Sequence, residues 1–302
     1  MGRTVGSALE DAIARLGAVT DVARSDAEEL LSRLLGVGRG ELRALGARVL
    51  GADQSARLES WLARRLAGEP VQYVTGRAAF RHLDLAVDRR VLVPRPETEG
   101  LVEAVLEVLA AERTAWPRPA VLDLGTGSGA IALAIASEWP DARVSATDAS
   151  AGALELARAN AHALGLSGRV VFAHGDWFEA VGADERFEVV VSNPPYVSPA
   201  EAAELPPEVR DWEPHPALFA GDDGLAALRA IVDEAPRHLV AGGLLALELA
   251  ETRAGEVAAW LEGAHDWTSV ELRDDLAGRP RVVLARRERG PAIAPAQWGE
   301  ER

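Results

Sequence analysis

Residues 120–129 read Ala-Val-Leu-Asp-Leu-Gly-Thr-Gly-Ser-Gly, an apolar run that ends in three alternating glycines. A strand followed by such a turn lets a ligand approach the backbone closely. The spacing Gly125-x-Gly127-x-x-Ala130, with Asp148 about 20 positions further on, is typical of a cofactor whose ribose binds the acidic residue. A glycine-rich turn without a ligand is the alternative, and it leaves Asp148 unexplained. The pattern does not distinguish NAD from S-adenosylmethionine, since both contain a ribose.

Beyond Pro96, candidate strands and helices alternate along the chain. The strands are expected at 120–124, 143–147, 170–174, 187–192, 243–249, 268–273 and 281–286. The helices are expected around 130–138, 151–164, 222–240 and 252–263. This alternation predicts an α/β fold, a mainly parallel Rossmann-like sheet of seven strands covered on both faces. The short connection 274–280 favours an antiparallel hairpin at the end of the sheet.

The first 70 residues have a different pattern, with leucines at helical spacing and a capping box predicted at Ser25-x-x-Glu28. Alternating residues near 83–87 indicate a hairpin. We therefore predict four segments: a small N-terminal helical domain for substrate recognition, a β-hairpin linker, a catalytic domain and a loose tail, over residues 1–70, 71–96, 97–287 and 288–302.

Composition narrows the function classes. The chain has 302 residues, a net charge of −15, no lysine and no cysteine. Disulfides and thiolate metal sites are excluded, and no histidines stand at metal-ligand spacing, so no metal is expected. No apolar stretch is long enough to span a bilayer and no signal peptide is evident, which predicts a cytoplasmic protein that does not associate with a membrane. The acidic charge disfavours DNA as a partner.

A second motif, Asn193-Pro194-Pro195-Tyr196, follows the apolar run 187–192. It suits the methylation of a planar, poorly nucleophilic NH2 group, which needs both of its protons held by acceptors. The Asn193 side-chain oxygen can accept one, and the Pro194 carbonyl, held by two consecutive prolines, can accept the other. Tyr196 offers a flat face to a flat group. A simple turn, or a polyproline ligand for another domain, is the alternative for this motif alone.

The two motifs are predicted to lie at the same edge of the sheet, because each directly follows a parallel strand. Hydride transfer has no evident use for Asn193-Pro194-Pro195-Tyr196 there, whereas methyl transfer from S-adenosylmethionine has. After the third of these strands, Asp176 and Trp177 are candidates for a polar contact and an aromatic wall beside adenine.

The accessory motifs then give a specific resemblance. They are Glu69-Pro70-Val71-Gln72-Tyr73-Val74-x-Gly76, Val91-Leu92-Val93-Pro94-Arg95-Pro96-Glu97-Thr98-Glu99, Glu213-Pro214-x-x-Ala217-Leu218-Phe219-Ala220-Gly221-x-Asp223-Gly224-Leu225 and Asp275-Leu276-Ala277-Gly278-Arg279-x-Arg281-Val282-Val283. Over residues 5–287 the chain resembles the bacterial peptide chain release-factor glutamine methyltransferases, the PrmC/HemK family.

The resemblance implies a monomeric class I S-adenosylmethionine-dependent methyltransferase that acts on the glutamine of the Gly-Gly-Gln loop of class I release factors. The cofactor-binding residues it implies are Gly125, Thr126, Gly127, Ser128, Gly129, Asp148, Trp177 and Asn193. Asn193 and Pro194 would hold the glutamine amide and Tyr196 would pack on its plane, with Pro195 completing the substrate-binding loop. No strong general base is expected, because the methylated amide loses its proton readily.

Some positions leave alternatives open. Arg95, Glu97 and Glu99 could line the substrate approach, or the two glutamates could be first-turn carboxylates of a helix. Glu248 matches an acidic position of the family, but Ala250 and Arg253 depart from the glycine and glutamine that usually follow. A nucleic-acid amino-methyltransferase is the alternative function, which the acidic charge disfavours.

Overall fold

The computed structural model describes residues 2–288, so the predicted tail 288–302 lies outside the described residues except for Glu288. The helices are α1 Val5–Leu16, α2 Ala23–Leu35, α3 Ala52–Leu66, α4 Val71–Thr75, α5 Pro96–Ala111, α6 Ala130–Glu138, α7 Ala151–Ala163, α8 Pro207–Arg210, α9 Ala226–His238 and α10 Glu251–Gly263. The strands are β1 Arg77–Phe80, β2 Leu83–Ala86, β3 Ala120–Leu124, β4 Arg143–Asp148, β5 Val170–His174, β6 Phe187–Ser192, β7 Leu239–Glu248, β8 Trp267–Asp274 and β9 Pro280–Arg287.

The chain forms two compact units. The first comprises the residues up to Ala79 together with Asp84–Val93 and Ala200–Leu218. The second comprises Phe80–Leu83, Pro94–Pro199 and the chain from Phe219 onwards. Within residues 2–288, no helix is both long and apolar enough to cross a membrane.

The first unit is helical and has its own apolar core, in which Leu30, Leu58 and Leu62 are fully buried. Its leucines lie at helical spacing because one face of each helix packs inward. The predicted capping box is wrong: α2 begins at Ala23, and the Asp26 N–H already donates to the Val22 carbonyl at 3.0 Å. Ser25 therefore lies inside the first turn, where it cannot cap the helix.

The predicted hairpin region contains two kinds of structure. Residues 71–75 form the short helix α4, which follows Pro70 and ends at Gly76 with φ of 73°. The hairpin itself is confined to the paired strands β1 and β2. Pro70 fits the start of a helix and Gly76 its left-handed end, so the sequence contained the signals for α4.

The segment Ala200–Leu218 belongs to the helical unit through side-chain contacts. Glu208 forms an ion pair with Arg65, whose other partner is Asp26 at 2.7 Å. The Arg89 guanidinium lies over the Trp212 ring, 3.9 Å from its centre. The sequence-based division had placed residues 200–218 with 97–287.

The second unit contains the large sheet, in the order β5-β4-β3-β6-β7-β9-β8. The five strands β5, β4, β3, β6 and β7 are parallel, whereas β9 is antiparallel to both β7 and β8. The seven-stranded, mainly parallel sheet and its terminal antiparallel hairpin are thereby confirmed. All five residues of β3 are buried, as expected for a central strand covered by helices on both faces.

One strand boundary differs from the prediction. β7 begins at Leu239, before the predicted start at 243, and its pairing with β6 shifts register after Phe187. A Cβ on Gly243 would lie 2.9 Å from the Val240 carbonyl oxygen. Glycine is therefore required by an irregularity inside the strand, at the residue where the predicted strand began.

Candidate active site

Three loops meet at one edge of the large sheet. Leu124, the last residue of β3, is in register with Thr147 of β4 on one side and with Ser192 of β6 on the other. The chain therefore leaves three adjacent strands side by side, at Gly125, Asp148 and Asn193. Since β4 and β6 lie on opposite sides of β3, this is the point where the sheet order reverses and where ligands of such sheets bind. The prediction that the two motifs share an edge is confirmed.

The glycine loop has a backbone that other residues adopt only with strain. Gly125, Gly127 and Gly129 have φ of 68°, 56° and 85°. A Cβ on Gly127 would meet no heavy atom within 4 Å, whereas one on Gly129 would lie 3.0 Å from Leu133 Cδ1. Gly127 thus leaves the backbone accessible to a ligand, and Gly129 leaves room for the Leu133 side chain of α6. The Thr126 N–H donates to the Thr147 carbonyl at 2.9 Å and anchors the loop to β4.

Asp148, the last residue of β4, holds the glycine loop by a hydrogen bond. One carboxylate oxygen accepts from the Gly127 N–H at 2.8 Å and the other accepts from the Ser150 N–H at 2.8 Å. Burial raises the pKa of Asp148 from its ordinary value, and these two hydrogen bonds oppose the rise. Each oxygen retains a second lone pair, so Asp148 can also accept from ribose hydroxyl groups.

Asp123 is a site residue that the sequence reading missed. Its carboxyl is fully buried and accepts from the Thr126 hydroxyl at 2.6 Å and from the Ala132 N–H at 3.1 Å, both on Oδ2. Within residues 2–288, Oδ1 has no hydrogen-bond partner. Burial raises the pKa of Asp123 to about 7. A buried acidic oxygen without a partner, next to an open glycine loop, is suited to a cationic group of a ligand.

Trp177 forms a wall beside the glycine loop. Its backbone has φ of 43°, and its carbonyl accepts from the Thr147 hydroxyl at 3.0 Å. A Cβ on Gly125 would lie 3.5 Å from Trp177 Cζ3, so the indole ring borders the loop. Asp176, in contrast, is exposed, and its N–H donates to Glu179.

The Asn193 loop is tied to both neighbouring elements. The Ser192 hydroxyl donates to the Leu124 carbonyl at 2.7 Å, which fixes the end of β6 against the end of β3. The Asn193 side-chain nitrogen donates to the Thr98 hydroxyl oxygen at 3.0 Å. The side-chain oxygen of Asn193 is therefore the end available to accept a proton from a ligand.

Part of an accessory motif supports this loop. The Ala220 N–H donates to the Val197 carbonyl at 3.1 Å. Gly224 has φ of 75°, and a Cβ there would lie 2.6 Å from the Tyr196 carbonyl oxygen. Gly224 is thus required for the close approach of two backbone segments, one of which contains Tyr196. Desolvation raises the pKa of Tyr196 to about 12, so its phenol is neutral at physiological pH.

At the start of α5, the residue that contacts the site is the uncharged Thr98, and not one of the charged residues considered from the sequence. Glu99 accepts from the Arg81 N–H at 2.8 Å, and Glu97 lies 3.8 Å from the Arg279 guanidinium. Thr98, between them, is buried and contacts Asn193. The contact of Glu99 favours the structural interpretation of that residue. Within the described residues, no three His, Asp or Glu side chains are grouped to hold a metal ion.

The sheet order, the glycine loop and the acidic residue after the next strand define the class: the protein has the fold of a class I S-adenosylmethionine-dependent methyltransferase. Residues 102–205 match the Methyltransferase small domain and residues 7–76 match the PrmC N-terminal domain. The chain belongs to the release factor glutamine methyltransferase family, as its similarity to curated relatives shows.

Two of these relatives cover nearly the whole chain. The release factor glutamine methyltransferase of Koribacter versatilis is 41% identical over 285 residues, which are 94% of this chain and 99% of the relative. That of Cereibacter sphaeroides is 44% identical over 280 residues, which are 92% and 97%. The crystal structure of the hMettl16 catalytic domain in complex with MAT2A 3'UTR hairpin 6 aligns with a TM-score of 0.56 at 14% identity, covering 83% of this chain and 87% of that one. This last likeness shows the fold alone.

Proposed function

We propose that the protein transfers a methyl group from S-adenosylmethionine to the side-chain amide nitrogen (N5) of the glutamine in the Gly-Gly-Gln loop of class I peptide chain release factors, and so modulates translation termination. The observation that carries the proposal is the position of Asn193. It lies one strand away from the glycine loop, with its side-chain nitrogen bonded to Thr98 and its oxygen available. The names of the curated relatives support the substrate class.

The residues at the sheet edge fit S-adenosylmethionine. Gly125 to Gly129 would surround its methionine part, Asp148 would accept from its ribose hydroxyls, and Trp177 would lie beside its adenine. The Asp123 oxygen that has no partner within residues 2–288 is suited to the ammonium group of the methionine part. When bound, the cofactor supplies an electrophilic methyl group on a sulfonium.

The acceptor nitrogen requires positioning more than activation by a base. An amide nitrogen shares its lone pair with the carbonyl, so the site has to hold the NH2 group by its protons and present the nitrogen to the methyl group. Asn193 Oδ1 and the Pro194 carbonyl would accept one proton each, and the Tyr196 ring would pack on the amide plane, with Pro195 fixing the loop. Tyr196 is neutral and does not serve as a base at physiological pH. The methylated amide then loses its extra proton to solvent.

The helical unit is the element we assign to docking of the release factor. It has its own apolar core, and its residues 7–76 match the PrmC N-terminal domain. Under this proposal the enzyme is a cytoplasmic monomer, and its net charge of −15 opposes binding to DNA. A short peptide containing Gly-Gly-Gln would then be a much poorer substrate than the whole release factor, mainly through a higher KM. Equal kcat/KM for the two would refute the docking role.

The test of the function uses S-adenosylmethionine labelled in its methyl group. The protein is incubated with a release factor, with the same release factor carrying Ala for the Gln of its Gly-Gly-Gln loop, and with DNA. We expect label on the first substrate and none on the other two. Label on DNA, or undiminished label on the Ala variant, would overturn the proposal.

A further inference from the structure

The hydrogen bond between Asn193 and Thr98 determines which end of the Asn193 amide faces a substrate. The nitrogen is 3.0 Å from the Thr98 hydroxyl oxygen, and Thr98 is 4% exposed. A reversed amide would turn the NH2 group outward, where it would meet the protons of the acceptor NH2 group. The orientation of this one side chain therefore decides whether the site attracts or repels its acceptor.

Glu248 is the group that can fix this orientation. It is the last residue of β7, and because Ser192 is in register with Leu247, Asn193 and Glu248 leave neighbouring strands side by side. Glu248 is 1% exposed, and a hydrogen bond from Thr98 lowers its pKa against the larger, opposite effect of burial. Its Oε2 has no hydrogen-bond partner within residues 2–288. A buried carboxyl at this position has no role in the mechanism above.

The polarity of this chain of hydrogen bonds follows from counting protons. A carboxylate can only accept, so the single hydroxyl proton of Thr98 is donated to Glu248. The Thr98 oxygen then has only lone pairs left, and it can bond Asn193 only through the NH2 group. The Asn193 oxygen is thereby left for the methyl acceptor.

We propose that Thr98 and Glu248 are positioning residues, which hold the Asn193 amide with its nitrogen inward and its oxygen toward the methyl acceptor. The inference rests on the proposed function, in which Asn193 accepts a proton from the substrate amide. It assigns a task to the acidic position at the end of β7. It also assigns a task to Thr98, which lies between the two glutamates of Pro96-Glu97-Thr98-Glu99.

Protonation of Glu248 removes the constraint. Burial raises the pKa of Glu248 to about 7, and the other influences on it come from Thr98, Arg95 and Glu97 at the start of α5 and from Arg281 on β9. A protonated carboxyl can donate to Thr98, which frees the Thr98 proton to bond the Asn193 oxygen. The reversed amide then becomes available, and turnover falls as the pH drops through about 7.

The kinetic test compares Thr98→Val, Thr98→Ser and Glu248→Gln with the wild type at saturating cofactor and release factor. We expect Thr98→Val to lower kcat about tenfold or more, with the cofactor Kd within about twofold and Thr98→Ser restoring kcat. Glu248→Gln lowers kcat at high pH and removes the fall near neutral pH. The control is Thr268→Val on β8, which removes a hydroxyl that donates to the Arg286 carbonyl at 3.4 Å and leaves kcat unchanged. Wild-type kcat in a folded Thr98→Val or Glu248→Gln protein would overturn the proposal.

A second measurement uses the wild-type protein alone, without a release factor or a variant. The chain has two asparagines, Asn160 and Asn193, so selective ¹⁵N labelling of asparagine gives two side-chain NH2 signals in NMR. We expect the signal of Asn193 to titrate with an apparent pKa near that of Glu248, and the signal of Asn160 to serve as the reference. A pH-independent Asn193 signal would overturn the positioning role. Failure of the wild type to methylate release factors would instead refute the proposed function, so the two failures are distinguishable.

Discussion

Asn193→Ala is the substitution that the proposed mechanism predicts most sharply. It removes the oxygen that accepts from the substrate amide, which gains positive charge as the methyl group is transferred. A hydrogen bond to a charged group contributes about 1.5–3 kcal/mol, and loss of one preorganised hydrogen-bonding group from an active site costs about 10²–10³ in kcat. We therefore expect kcat to fall about a hundredfold.

The same substitution has a small expected effect on stability. Asn193 is half-buried, and its side-chain nitrogen makes one described hydrogen bond, to Thr98. Loss of that bond costs about 1 kcal/mol of the free energy of unfolding. Because Asn193 also borders the proposed cofactor site, we allow a weakening of the cofactor Kd of up to about fivefold, far less than the change in kcat.

Asn160→Ala is the matched control. Asn160 is 1% exposed, and its side-chain nitrogen donates to the Ser128 carbonyl at 2.9 Å, so it holds the glycine loop. We expect this variant to weaken the cofactor Kd about fivefold and to keep kcat at saturating cofactor. The assays are calorimetric cofactor binding, label transfer to a release factor, and thermal unfolding. An Asn193→Ala protein with kcat within about threefold of the wild type, or with cofactor binding lost to the same extent as turnover, would refute the reasoning.

Three further predictions concern the scaffold and the cofactor site. Gly224→Ala places a methyl group 2.6 Å from a backbone carbonyl oxygen, whereas a Cβ on Gly278, which has the same φ of 75°, would have no heavy atom within 4 Å. Gly224→Ala should therefore destabilise the protein by about 1–3 kcal/mol more than Gly278→Ala. Equal losses of stability in urea unfolding would contradict this. Arg65→Met leaves the buried Asp26 carboxylate without its 2.7 Å partner and should lower the free energy of unfolding by about 3–5 kcal/mol. Adding Asp26→Asn should restore much of that stability. A double variant as unstable as Arg65→Met alone would show that the buried charge is not the cause. Burial raises the pKa of Asp123 to about 7, against an ordinary value of 3.8, so between these pH values the folded state binds a proton that the unfolded state has lost. The free energy of unfolding should therefore fall as pH rises from about 4 to about 7. Asp123→Asn should flatten this slope, and an unchanged slope would show that another group binds the proton.

The large sheet was predictable because its strands are short apolar runs bounded by polar and glycine residues. β3, β5 and β6 have the predicted limits. The start of β7 was wrong because the preceding helix was predicted to continue to 240, whereas the strand begins at Leu239 and Gly243 accommodates a close backbone contact inside it. Such an irregularity is set by the neighbouring strand and has no local signature.

The helical unit shows the limits of local patterns. The Ser25-x-x-Glu28 pattern also occurs inside helices, and here the apolar face of α2 extends one turn earlier, to Ala23. α4 was missed because Val71 and Tyr73 favour strands by propensity, although Pro70 and Gly76 mark its two ends.

For the site, sequence located the loops but not the groups that orient them. Alternation of strands and helices placed Gly125, Asp148 and Asn193 at one edge, and the register confirms that placement. The contact between Asn193 and Thr98 joins residues 95 positions apart, so it depends on how α5 packs against the sheet. Asp123 was read as part of an apolar strand, and only its complete burial distinguishes it as a functional candidate.

The central claim is the identity of the methylated atom. The most direct measurement is mass spectrometry of a release factor after incubation with the protein and S-adenosylmethionine, with fragmentation that localises the added group. The account predicts one methyl group on the side-chain amide of the Gln in the Gly-Gly-Gln loop, absent when the Asn193→Ala protein is used. A methyl group on any other residue, with that Gln unmodified, would contradict it.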